Sequence, residues 1–128
     1  MEKTLEKKKI KTYRDFNVFQ QAMELASEIF KISARFPTEE RYALIDQIRR
    51  AARSIPANLA EGWGKRNYEN VFKRHLYDCI GSCEEVQVWL EIALRCNYLN
   101  RDKYELLRGR YAEVGAMLGS LANRWQTF

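Results

Sequence analysis

The chain has 128 residues, of which 46% are hydrophobic and 30% charged, and its formal net charge is +5. A single domain of this length buries about two thirds of its unfolded surface, and the composition is ordinary for a folded globular protein. The charged N-terminus lacks the apolar stretch of a signal peptide, and the longest uncharged run, residues 114–123, is too short to cross a bilayer. Three cysteines without a secretory signal favour reduced thiols, so we expect a cytoplasmic protein with no membrane partner.

The positive charge is concentrated in two segments. Residues 1–14 carry six basic and two acidic side chains, and residues 41–74 carry eight basic and three acidic ones. We interpret residues 1–12 as a flexible basic tail and residues 13–128 as one folded domain. Such runs are often only a solvated face and a mobile tail, but they are also typical of a surface that attracts an anionic polymer.

The spacing of apolar residues predicts four helices. The first runs from about Asp15 to Arg35 and carries two apolar stripes, one of Phe16, Phe19, Met23, Ala26 and Phe30 and the other of Leu25, Ile29, Ile32 and Phe36. The second is expected to begin with Thr38 as its N-cap and to run towards Glu61, with Gly62 and Gly64 as stop signals. Pro56 should either kink this helix or start a new turn.

The third helix is predicted from near Asn67 to about Cys96, and the fourth begins near Asp102 after a turn at residues 97–100. The fourth has alternating three- and four-residue steps between Tyr104, Leu107, Tyr111, Val114, Leu118, Leu121 and Trp125. Beside them lie Ala112, Gly115, Gly119 and Ala122, and mid-helix glycines predict that another helix backbone comes close. Four such helices with short turns predict an all-α, antiparallel up-down-up-down bundle. The surplus apolar stripes on the first and fourth helices predict self-association.

Several segments resemble a known bacterial family. They are FPTEERY at 36–42, QIRRAA at 47–52 and SIPANLAEG at 54–62, with YRDF at 13–16 upstream and Phe72, Leu76, Gly81, Ser82 and Glu85 downstream. Together they resemble the four-helix-bundle proteins encoded in intervening sequences of 23S rRNA genes, which are related to the accessory variability determinants of diversity-generating retroelements. The resemblance implies a homo-oligomeric ring of five bundles, and the number five comes from it alone. His75, Cys79, Cys83 and Glu84 depart from the family pattern.

The sequence gives little support for a catalytic, metal or cofactor site. The one histidine, His75, would have to serve any Ser/His/Asp or Cys/His arrangement, and no HExxH or phosphate-binding loop occurs. His75, Cys79 and Cys83 share a helix face, but His75 and Cys83 lie about 12 Å apart along the axis and cannot both bind one zinc ion. We therefore expect no enzyme activity, no metal and no cofactor, with both cysteines as buried small hydrophobic residues.

Nucleic-acid binding is the function with the clearest physical basis. Its candidate residues are Arg49, Arg50, Arg53, Lys65, Arg66, Lys73 and Arg74, whose charges suit the phosphates of RNA or DNA without reading sequence. Trp63 could stack on a base, although a packed anchor at the helix end is the more ordinary interpretation. The arginines could instead pair across subunit contacts with Glu84, Glu85 or Glu91. The competing hypothesis is a protein-binding scaffold, for example one that docks a reverse transcriptase or another nucleic-acid enzyme.

Overall fold

The computed structural model describes residues 10–125, which form four α-helices and two short 3-10 helices and contain no strand. The helices are α1 (Asn17–Ser33), α2 (Leu44–Gly64), α3 (Glu69–Arg95) and α4 (Arg101–Arg124), and the 3-10 helices are Tyr13–Asp15 and Thr38–Glu40. The predicted all-α class and the predicted number of helices are confirmed. The predicted tail, residues 1–12, lies mostly outside the described residues.

The first helix begins two residues later than predicted because its predicted start belongs to a separate 3-10 helix. The Thr12 side chain accepts a hydrogen bond from the backbone N–H of Arg14, and the Asp15 carboxylate accepts from the backbone N–H groups of Lys11 and Thr12. The two hydrogen bonds that the Asp15 carboxylate accepts from Lys11 and Thr12 also hold the pKa of Asp15 below its ordinary value. Phe16 is extended and buried, and it separates this short helix from α1.

The predicted start of the second helix is wrong. Thr38 does not cap it but begins the short 3-10 helix, and α2 starts at Leu44, whose backbone N–H lies 3.4 Å from Oε1 of Glu40. The other oxygen of that carboxylate accepts a 2.9 Å hydrogen bond from the hydroxyl of Tyr98, which ties this turn to the loop after α3. At the other end the helix passes through Gly62 and ends at Gly64, the second of the two predicted stop signals.

Helices α2 and α3 approach each other closely. A Cβ placed on Gly62 would lie 2.6 Å from the Cβ of His75, so a side chain has no room there. Ser54 donates a 2.6 Å hydrogen bond to Ser82. Asn58, further along α2, contacts His75, which comes earlier on α3, so the contacts follow opposite directions along the two helices. Pro56 is buried within one continuous helix and does not start a new turn.

The apolar pattern of α4 is confirmed as the core-facing stripe. Of its predicted members, Leu107, Tyr111, Val114 and Leu118 are almost fully buried, Tyr104 and Trp125 nearly so, and Leu121 partly. The small-residue stripe behaves differently. A Cβ on Gly115 would touch Cys83 at an ordinary 3.8 Å, and one on Gly119 would meet nothing within 4 Å. Within the described chain, the predicted close approach at Gly119 is therefore wrong.

Candidate nucleic-acid interface

The basic segment 41–74 keeps its excess positive charge in the folded structure. Each of its three carboxylates forms an ion pair with the basic residue four positions on: Asp46 with Arg50, Glu61 with Lys65 and Glu69 with Lys73, at 3.0, 3.0 and 3.3 Å. Eight basic side chains minus these three acids leave a local charge of +5. No basic residue from outside the segment is needed to pair with these three carboxylates.

Arg49, the first of the predicted arginines, is a structural residue of the α1–α2 contact. Its Nε donates a 2.8 Å hydrogen bond to the hydroxyl of the fully buried Ser33, and its guanidinium also donates to the carbonyl of Phe30 at 3.1 Å. The guanidinium carbon lies 4.2 Å from the centre of the Phe30 ring, within cation–π range. Arg49 therefore holds the end of α1 onto α2, and its guanidinium is engaged by these contacts.

Arg50 and Arg53, the neighbours of Arg49 on α2, are exposed in different surroundings. The side chain of Arg50 is 75% exposed and pairs with Asp46, one turn earlier on α2. Arg53 lies 5.9 Å from the centre of the Phe30 ring and borders a groove between α1 and α2. The three arginines that the sequence grouped together thus have different surroundings. Arg49 joins α1 to α2, Arg50 is a surface cation, and Arg53 lies at a groove.

The turn between α2 and α3 brings four of the predicted cations to one end of the bundle. Lys65 and Arg66 lie in the turn, and Lys73 and Arg74 follow in the second turn of α3. Lys65 and Arg74 are exposed, whereas Arg66 lies over the Trp63 ring at 4.1 Å and donates to the Trp63 carbonyl. These cations form the part of the predicted site that the fold gathers together.

Trp63 is confirmed as a packed anchor at the end of α2. Its indole makes edge-to-face contacts with the rings of Phe16, Phe72 and Trp125 at centroid distances of 5.3, 6.2 and 5.8 Å. The exposed aromatic residue of this turn is Tyr68, which is 72% exposed and immediately precedes α3. Sequence reasoning missed Tyr68, although its position between a basic turn and a helix start was a usable signal.

A second surface that the sequence did not specify is an open groove of about 590 Å³ between α1 and α2. Its lining is mainly apolar and consists of Tyr13, Arg14, Phe19, Met23, Ala26, Ser27, Phe30, Arg53, Pro56, Ala57 and Ala60. Met23 and Phe30 are 47% and 49% exposed, although both belong to an apolar stripe predicted from the sequence. Phe16 and Phe19 of that stripe are buried in the core, whereas Met23 and Phe30 lie half-exposed along this groove, which we call the α1–α2 groove.

The face of α3 that carries His75, Cys79 and Cys83 holds no metal-binding group among residues 10–125. Nδ1 of His75 contacts the side-chain oxygen of Asn58 at 3.2 Å, and the Cys79 thiol lies 3.3 Å from the carbonyl of Ile55. Burial raises the pKa of both Cys79 and Cys83 to about 12, so neither is a thiolate near neutral pH. No helix in the described range is both long and apolar enough to span a membrane.

Comparison with protein families supplies the identification. The family model described as 23S rRNA-intervening sequence protein matches residues 14–120, which include the first three helices and most of α4. The chain belongs to this family. The family resemblance noted in the sequence is thus confirmed.

One solved structure shows that the fold of this 23S rRNA-intervening sequence protein recurs. It is a protein of unknown function from the S23 ribosomal protein family of Bacteroides thetaiotaomicron, 25% identical, with a TM-score of 0.74 over 82% of this chain and 97% of the other. No curated protein matches the sequence. The comparisons give the family and the fold, while the function must be argued from the chain's own surfaces.

Proposed function

We propose that this family member is a non-enzymatic, cytoplasmic accessory protein that binds RNA or DNA backbones through the surface around the α2–α3 turn. The observation that carries the proposal is the charge of +5 that residues 41–74 retain after their own carboxylates are counted. The candidate contacts are Arg50, Lys65, Arg66, Lys73 and Arg74. Arg49 is left out because its guanidinium is engaged with α1.

The local ion pairs do not prevent these cations from contacting phosphate. Arg50 and Lys65 each pair with the carboxylate four residues before them, and the paired side chains are between 42% and 75% exposed. Exposed pairs of this kind contribute only a few tenths of a kcal/mol, so exchanging a carboxylate for a phosphate costs little. Tyr68 adds an exposed ring on which an unpaired base could stack. Binding of this kind is salt-sensitive and largely independent of sequence.

The protein also associates with itself in this proposal. The opposing order of contacts along α2 and α3 supports an antiparallel up-down-up-down bundle, and the family resemblance supports a ring of five copies. A ring repeats the basic turn around one axis, which strengthens its field relative to that of a single chain.

A second candidate function, a protein-binding scaffold, is favoured by the α1–α2 groove. Its half-exposed Met23 and Phe30 offer apolar area of the kind that protein partners cover. In that case the partner would be a nucleic-acid enzyme such as a reverse transcriptase, as the resemblance to retroelement accessory proteins implies. The two functions are compatible because the groove and the turn use different side chains.

The binding experiment compares two variants with the same change in charge. In the first, Arg50, Lys65, Lys73 and Arg74 are replaced by Gln; in the second, the exposed Arg95, Arg101, Arg108 and Arg124 are replaced by Gln. Each lowers the net charge by four, and none of the eight residues is buried. Fluorescence anisotropy with labelled single-stranded RNA and duplex DNA at 0.1 M salt measures the affinity.

We expect the first variant to lose at least about tenfold in affinity, because each lost phosphate contact removes counterion release. The second variant should bind within a few-fold of the parent protein, since only general attraction is reduced. Equal losses in the two variants would show that net charge, and not the α2–α3 turn, controls binding. Circular dichroism on both variants checks that helicity is unchanged.

A further inference from the structure

We propose that the α1–α2 groove receives the outer face of α3 from a second copy of this chain. The inference rests on the self-association in the proposed function and specifies which two surfaces meet. The first surface is the groove, an apolar channel bordered by Arg14 and Arg53. Neither arginine forms an ion pair with any carboxylate of residues 10–125.

The second surface is a stripe on the outer side of α3. Tyr77, Gly81, Glu84 and Val88 follow one another at steps of four, three and four residues, which places them on one helical face. Tyr77 and Val88 are 56% and 55% exposed, and a Cβ on Gly81 would meet nothing within 4 Å. The opposite face of α3, with Leu76 and Cys83, is fully buried. The stripe therefore projects Tyr77 and Val88 into solvent, with Gly81 and Glu84 between them.

Charge and length both match the groove to this stripe. Residues 75–94 contain four acidic side chains and no Lys or Arg, and Glu84 at the centre of the stripe forms no ion pair within the described chain. Tyr77 and Val88 are eleven residues apart, about 16 Å along the helix, and Phe19 and Phe30 in the groove have the same separation. A carboxylate flanked by apolar side chains thus fits an apolar channel with unpaired arginines.

Two different surfaces of each copy meet in this arrangement, so every chain can give its α3 stripe to one neighbour and receive another in its groove. Such head-to-tail contacts close into rings or continue as filaments. Arg53 is then an interface residue and not a phosphate contact, which assigns it to the subunit pairing that the sequence left as an alternative. A neighbour seated in the groove would also cover Met23 and Phe30, the half-exposed apolar side chains of α1.

The test is charge reversal with restoration. Arg53→Glu, Glu84→Arg and the double variant are compared with the parent protein by size-exclusion chromatography with light scattering, at one fixed micromolar concentration. Lys31→Glu is the control, because Lys31 is an exposed cation of α1 outside the groove. Circular dichroism checks that each variant keeps its helices.

We expect both single reversals to lower the mass towards the 15.2 kDa monomer. The double variant should recover the parent mass, because exchanging the two charges restores the attraction between groove and stripe. Lys31→Glu should keep the parent mass. A parent assembly whose mass survives both reversals would overturn this interface while leaving self-association intact. A monomeric parent protein would instead refute the self-association itself. Loss of RNA binding by Arg53→Glu at unchanged mass would assign the groove to phosphate and also overturn the proposal.

Discussion

At the scale of single residues, adjacent side chains of the same type have different roles. Arg49 and Arg50 both belong to the basic run, but Arg49 joins the buried Ser33 and the ring of Phe30, whereas Arg50 pairs with Asp46 on its own helix. The sequence could place both in the basic run of the second helix. It could not show that α1 ends beside Arg49, because that depends on how the two helices pack.

The difference gives a first prediction about stability. Arg49→Gln should lower the free energy of unfolding by about 1–3 kcal/mol, because it removes hydrogen bonds from a charged donor and leaves the buried Ser33 hydroxyl with fewer partners. Arg50→Gln should change it by no more than about 0.5 kcal/mol, since it removes one exposed ion pair. Urea denaturation at equal protein concentration measures both. Equal effects would show that the Arg49 contacts do not hold α1 and α2 together.

At the scale of secondary structure, the contact between α2 and α3 positions the basic turn. Gly62 lets the end of α2 approach His75, and Trp63 then packs against Phe72 and Trp125. With the helix ends fixed in this way, Lys65 and Arg66 can only lie at this end of the bundle. Gly62 was misread as a helix stop because close backbone approach and helix termination both favour glycine. The spacing of residues alone does not separate the two causes.

Replacing glycines on these helices tests the packing. Gly62→Ala should destabilise the fold by about 1–3 kcal/mol, because the new Cβ would lie 2.6 Å from the Cβ of His75 and the helices must separate. Gly119→Ala is the matched control, also within a helix but with no atom within 4 Å of the new Cβ. It should stabilise α4 by up to about 1 kcal/mol. If Gly62→Ala proved as harmless as Gly119→Ala in thermal unfolding, the close α2–α3 contact would be wrong.

At the scale of the whole molecule, the sequence predicted the helices and the core better than the surfaces. Apolar periodicity identified the buried stripe of α4, including Tyr111 and Leu118, because burial on one helix face leaves a regular pattern. The candidate site was predicted only as a set of charges. The positions of Arg49 and Arg53, the exposure of Tyr68 and the α1–α2 groove arise from contacts between helices, to which a one-dimensional pattern gives no direct access.

The most direct test of the proposed function is the salt dependence of nucleic-acid affinity for the unmodified protein. Titrations against labelled duplex DNA and single-stranded RNA, from about 0.05 to 0.3 M salt, give the slope of log affinity against log salt concentration. If about four cations around the α2–α3 turn contact phosphates, the slope for duplex DNA should lie near −3 to −4, and it should be shallower for single strands. Similar affinities for unrelated sequences are also expected. An absence of binding at the lowest salt, or an affinity that does not change with salt, would contradict the account.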